Sequence, residues 1–139
     1  MDNNIYFGFS EWLDKILENN KFTKILAFNF NLYEDQTQYH IQLIGSDEFD
    51  EENQDWACSE VFTSGEDIFK MDMKITGKEW FDALDFCINV VTEYLEKGKN
   101  KEKLLEKKAV GIGFVDGDLY ILYNNRKINK NIKIEHEFK

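Results

Sequence analysis

The sequence predicts a single α+β domain over residues 1–139, a mainly antiparallel sheet packed with two amphipathic helices. Three observations carry this. Apolar residues recur at helical spacing in two stretches, residues 12–17 and 80–95. Several other stretches alternate apolar and polar residues with a period of two, as half-buried strands do. The elements follow the order helix, strands, helix, strands, without the regular strand–helix alternation of a parallel α/β sheet. A chain of 139 residues with 42% hydrophobic and 15% aromatic content supplies one packed core, because large rings remove much apolar area from water.

Residues 5–9 lead into a first helix that Ser10 is placed to cap, with Trp12, Leu13, Ile16 and Leu17 on its apolar face. Asn19-Asn20 ends it. Residues 24–33 then alternate, with Leu26, Phe28, Phe30 and Leu32 on one side. Glu34-Asp35-Gln36 turns the chain into residues 38–44, where Tyr39, Ile41 and Leu43 share a face, so an antiparallel hairpin is the simplest pairing. Gly45 closes that strand. Residues 56–62 read as a third strand, with Trp56, Cys58 and Glu60 on one face and Ala57 and Val61 on the other. Residues 68–75 read as a short fourth strand through Phe69, Met71 and Met73.

Thr76 and Glu79 have the spacing of a capping box. They open a long helix to about Lys97, whose inward face is Trp80, Ala83, Leu84, Cys87, Val91, Tyr94 and Leu95, and which Gly98 stops. The lysine-rich residues 99–108 suggest a helical turn carrying Leu104 and Leu105. Residues 109–115 and 119–123 flank Asp116-Gly117-Asp118, which predicts a tight hairpin with Gly117 at positive φ. Gly111 and Gly113 lie inside that strand, where a missing side chain lets a ring or backbone approach. Ile132, Ile134, His136 and Phe138 alternate and suggest an edge strand.

Charge is distributed unevenly. The formal net charge is −10, and residues 1–96 hold 21 of the 27 Asp and Glu but only 6 of the 17 Lys and Arg. Phosphate backbones and anionic membranes would be repelled by such a chain, so neither nucleic acid nor membrane is expected as a partner. The basic remainder reads either as solvated lysines or as a surface that meets the acidic face of a second copy in a homodimer. No apolar run approaches the length of a membrane span. Met1-Asp2-Asn3-Asn4 lacks the basic start and apolar core of a signal peptide, and Cys58 and Cys87 both sit among apolar residues. A cytoplasmic protein with two buried, reduced thiols is the resulting expectation.

The most distinctive stretch is residues 47–67. Asp47, Glu48, Asp50, Glu51, Glu52, Asp55 and Glu60 fall within it, beside Phe49 and Trp56. Ionised carboxylates lose hydration when buried and find no neighbouring cation here, so the run belongs on the surface. Two readings stand: a mobile, solubilising loop, or a binding face for a basic partner. Asp47, Asp50, Glu51 and Asp55 lack the glycine and terminal glutamate of a calcium-binding hand. His40 and His136 are too far apart in sequence to suggest a transition-metal site, so no metal or cofactor is expected. Cys58 meeting His40, or a pair of carboxylates, would be needed for catalysis. Gly111 and Gly113 precede a hairpin rather than a helix, so they form no phosphate loop.

Three segments together, Asp55-Trp56-Ala57-Cys58 with Glu60-Val61-Phe62, the helix through Trp80, Leu84, Tyr94 and Leu95, and the hairpin running from Val110 to Leu119, resemble small cytoplasmic bacterial immunity proteins. Those proteins belong to polymorphic-toxin and contact-dependent growth inhibition systems. The resemblance spans roughly residues 55–123, and its motifs are structural. It implies a non-enzymatic protein that binds and neutralises a cognate toxin domain, often a basic nuclease. Mapping contacts by charge places Asp47, Glu48, Asp50, Glu51, Glu52 and Asp55 on the toxin, with Phe49 as the apolar anchor. The alternatives are a small hydrolase-like enzyme using Cys58 and His40 or paired carboxylates, and an acidic adaptor for another basic protein.

Overall fold

A computed structural model describes residues 3–134 of the chain. Helix α1 spans Asn3–Asn19, followed by β1 (Ala27–Asp35) and β2 (Gln38–Ser46). A single 3-10 turn at Gln54–Cys58 precedes β3 (Glu60–Thr63) and β4 (Phe69–Asp72). The short helix α2 (Met73–Thr76), the long α3 (Trp80–Lys97) and α4 (Lys101–Leu105) come next, then β5 (Ala109–Phe114), β6 (Tyr120–Asn124) and β7 (Lys127–Ile128). The seven strands form one sheet in the order β3-β2-β1-β5-β6-β7. β4 shares the outer edge of β2 with β3: β4 pairs with Gln38–Ile41 and β3 with Ile44–Ser46. Every pairing is antiparallel except β1 with β5, so the α+β expectation holds.

Period-two alternation gives the sheet two unlike faces. Phe28, Phe30 and Leu32 of β1, Tyr39, Ile41 and Leu43 of β2, and Val110 and Ile112 of β5 are buried in one core with α1 and α3. Phe9 lies at its centre, 5.7 to 6.2 Å from the rings of Trp12, Phe30, Phe69 and Tyr94. Its position also explains where α1 begins. Ile5 and Phe9 continue the helical spacing of Leu13 and Leu17 backward, so the helix absorbs Ser10 instead of starting at it, and the Ser10 hydroxyl makes no hydrogen bond among the described residues. The Tyr94 hydroxyl donates to Asp14 and accepts the Asn100 N–H, while the Asn100 amide donates to Asp14 and Glu18. This network ties α1 to the turn after α3.

Several local expectations give way to tertiary packing. Residues 56–58 are a 3-10 turn rather than strand, because Trp56 folds inward to cover the sheet's second face. Thr76 ends α2, its hydroxyl donating to the Gly77 carbonyl, and Glu79 precedes α3 without a side-chain cap. The capping aspartate is Asp72, which accepts the Lys74 N–H at the start of α2. Trp80 is exposed although the rest of the expected α3 face is buried. The β5–β6 connection is a five-residue loop, residues 115–119, and Gly117 is not among the glycines at positive φ. Cys87 is buried, and loss of solvation raises its thiol pKa. Cys58 is exposed, since it ends a surface turn.

The edge strand after β6 is residues 127–128. Ile132 and Ile134 pack on the core without joining the sheet, while His136 and Phe138 lie outside the described residues. Asn124 pairs with Lys127, so Asn125 and Arg126 form a two-residue turn with φ of 51° and 64°. Asparagine tolerates this left-handed region and arginine tolerates it poorly. Replacing Arg126 by Gly is expected to stabilise the protein by about 0.5–1 kcal/mol, read from the midpoint of urea denaturation. A lower midpoint would show that the Arg126 side chain contributes more than the turn strain costs.

Candidate partner-binding surface

The helix-free face of the sheet is where the acidic stretch settles. Ala27 and Ala109 are buried at the starts of β1 and β5, and Trp56 lies over them. Small side chains there leave room for an indole. Gly111 extends the space, since a Cβ on it would approach Trp56 Cζ2 to 3.3 Å and Asn29 Oδ1 to 2.7 Å. A Cβ on Gly113 would collide with the Asp118 carbonyl, so both glycines serve close approach as their placement in a strand suggests.

The loop of residues 47–59 is held at many points. Ser46 Oγ donates to the Trp56 carbonyl at 2.6 Å and accepts the Glu48 N–H. Ser59 Oγ donates to Asp47 at 2.7 Å. Asp50 accepts the Glu52 N–H, and Asn53 accepts the Asp55 N–H. Glu51 accepts from the Asn124 and Asn125 amides at the end of β6. Gln54 accepts the Leu119 N–H at 3.2 Å, which joins the loop to the β5–β6 turn. These bonds tie the loop to β2, to the end of β6 and to the β5–β6 connection.

Phe49 is half-buried, its ring 5.4 Å from Trp56 in an edge-on contact. Phe49, expected as the apolar anchor for a partner, thus also packs within the chain, against the Trp56 cluster. Asp47, Glu48, Asp50, Glu51, Glu52 and Asp55 are all exposed, so the structure brings the six carboxylates onto one ordered surface loop. Among the described residues, the carboxylates of Glu48, Glu52 and Asp55 have no hydrogen bond or ion pair.

A second feature lies at the other end of the parallel pair. A cleft of about 720 Å³ opens where β1 and β5 end, between α3's first turn and the loop of residues 115–119. Leu32, Leu84 and Phe114 provide its apolar surface, while Glu34, Asp116 and Asp118 bring carboxylates. Trp80 and Val115 border it with 42% and 53% exposure. Tyr33 also borders it and donates to Gln42, whose amide donates onward to the Gly65 carbonyl. Sequence reasoning missed this cleft. Its one local signal was a valine followed by Asp-Gly-Asp, apolar and acidic residues sharing a turn.

The Cys58–His40 pair of the alternative, enzymatic reading does not assemble. His40 Nε2 lies 3.6 Å from Asp35 at the β1–β2 end of the sheet. Cys58 precedes Glu60, which pairs with Ser46 six residues further along β2, a separation of roughly 20 Å at the usual strand rise. Among the described residues, no group of three or more His, Cys, Asp or Glu side chains is placed to hold a metal ion. None of their helices is long and apolar enough to cross a membrane.

The basic segment is largely engaged within the fold. Lys103 Nζ donates to the Leu17 carbonyl and Lys107 Nζ to that of Phe22, beyond the end of α1, while Lys101 donates to the Glu96 carbonyl near the end of α3. Cations at helix C-termini satisfy orphan carbonyls and oppose the helix dipole. Lys99 and Lys130 pair with Glu18 and Glu96. Neither reading of this segment, as solvated lysines or as a dimer surface, anticipated its capping role. No family model, curated protein or solved structure matches the chain.

Proposed function

We propose that this chain is an immunity-type protein that binds a cognate, basic toxin domain of nuclease type and neutralises it by direct contact. It acts in the cytoplasm, without cofactor or catalysis. The observation that carries the reading is the acidic loop tied to the sheet by hydrogen bonds and by the packing of Trp56 and Phe49. A pre-ordered anionic surface avoids the entropy of ordering a flexible loop on binding. Its carboxylates stand in for the phosphates a nuclease recognises, and opposed charge speeds encounter and fixes orientation. Asp116 and Asp118, on the turn that Gln54 contacts, extend the same negative field.

A homodimer using the lysine segment would compete for the same loop. Because Lys101, Lys103 and Lys107 already serve carbonyls within the chain, the toxin is the preferred partner. A concentration-independent monomer mass in sedimentation at low salt is the expected result.

The reading is tested with Glu48, Glu52 and Asp55 changed together to Lys, since these carboxylates bear no hydrogen bonds that the loop needs. The toxin is the protein whose expression alone kills the source cells and whose toxicity this chain relieves. Association at low salt is expected to slow by roughly 10–100-fold, with a flatter salt dependence and an unchanged unfolding midpoint. A triple variant that associates at the original rate and protects cells equally would remove the loop from the contact face.

A further inference from the structure

We infer that the cleft beside Trp80 receives a short basic segment of the partner protein, an arginine seated next to an apolar residue. The inference rests on the binding reading above and adds where the partner anchors and by what chemistry. The acidic loop supplies long-range attraction, whereas a cleft supplies the shape and buried contact that hold a complex together.

Size is the first reason. A space of about 720 Å³ exceeds a single side chain and suits a few neighbouring residues of a peptide segment. Composition is the second. Leu32, Leu84 and Phe114 present apolar surface, and Trp80 and Val115 leave large apolar area in water at the border. Contact with an apolar residue of the partner would remove that area from solvent.

Charge is the third reason. Glu34, Asp116 and Asp118 line the same cleft, and among the described residues no lysine or arginine forms an ion pair with any of them. The field there is negative from behind as well. Tyr39, whose ring is 5.8 Å from Phe114, has its hydroxyl pKa pushed up to about 12 by burial first and then by Glu34, Glu79 and Asp82. An anionic ligand would be repelled.

An exposed indole beside carboxylates favours arginine over lysine. The planar guanidinium stacks on an aromatic face while its fork donates to carboxylate oxygens, and a compact ammonium does not combine the two. The cleft also continues the acidic surface, because Leu119 follows Asp118 and donates its N–H to Gln54 of the acidic loop.

The test is a titration of the 15N-labelled full chain with the blocked peptide acetyl-Gly-Leu-Arg-Gly-amide, compared with the same peptide carrying citrulline, the neutral isostere of arginine. Saturable shifts are expected at the Trp80 indole N–H and at the Val115 and Gly117 amides, with the arginine peptide bound about tenfold more tightly. Changing Glu34 to Gln with Asp118 to Asn is expected to abolish that preference, with the spectrum otherwise showing a folded protein. The inference is overturned by equal affinity for the two peptides, by shifts confined to residues 47–55, or by no saturable shift at all. The loop variants provide the separation from the underlying reading. Toxin association lost with the loop charges but no peptide in the cleft would sink the cleft alone. Arginine-selective binding without toxin recognition would instead remove the toxin and leave a basic segment of another protein in the cleft.

Discussion

Replacing Trp56 by Ala is expected to cost about 3–5 kcal/mol of stability, the range for deleting a buried large aromatic side chain, and to release the acidic loop. Trp56 is almost fully buried over Ala27 and Ala109, with Phe49 against its ring. Its carbonyl also accepts from Ser46 Oγ, but backbone bonds alone do not fill the space above two alanines and Gly111. The variant should keep the core on the helix side of the sheet, because Phe9, Phe28 and Tyr94 belong to a separate cluster. Hydrogen exchange is therefore expected to accelerate across residues 47–59 far more than across α3. Under the proposed function, association with the toxin should weaken as well, since the loop would have to order on binding. A loss below about 1 kcal/mol with the loop still protected would contradict the pinning role assigned to this residue.

Alkali is expected to destabilise the protein in steps that begin near pH 9. Tyr39, Tyr94 and Cys87 all have raised pKa values in the fold, chiefly because burial penalises their charged forms. Negative neighbours add to this, Glu34 at Tyr39 and Asp14 at Tyr94. In the unfolded chain these groups lose protons at ordinary values, near 8.5 for cysteine and near 10 for tyrosine. The unfolded state therefore binds fewer protons in that window, and stability falls as pH rises. Each group contributes a slope of about 1.4 kcal/mol per pH unit while only its unfolded form ionises.

Their stabilising contribution is complete below the unfolded pKa values. For Tyr39 it declines from about pH 10 until the folded group itself ionises near 12. Denaturant midpoints from pH 7 to pH 11 provide the measurement. Changing Cys87 to Ala should remove the earliest part of the fall, after allowance for its lower starting stability. A flat profile to pH 11 would mean that these hydroxyls and the thiol are solvated in the native state.

Much of the architecture was legible because its signals are local. The buried face of α3, except for Trp80, follows from helical spacing. The β1–β2 hairpin and the shared face of Tyr39, Ile41 and Leu43 follow from alternation. The exposure of Asp47, Glu48, Asp50, Glu51, Glu52 and Asp55 follows from the cost of burying charge without a partner. The apolar neighbours of Cys58 suggest a strand with a buried thiol, whereas a turn directs that thiol outward while Trp56 goes in. The β6–β7 turn was missed because Asn125 is followed by Arg126 instead of the favoured glycine.

From residue order come the periodicities, the charge asymmetry and the closely packed glycines, each depending on a few neighbouring side chains and the geometry of one element. Strand order comes from elsewhere. No local pattern says that β1 pairs in parallel with β5 across more than seventy residues, since that choice maximises burial over the whole core. The cleft exists only because this pairing puts the ends of β1 and β5 side by side under the first turn of α3, and the acidic loop has a fixed shape only because Ala27 and Ala109 become neighbours beneath Trp56.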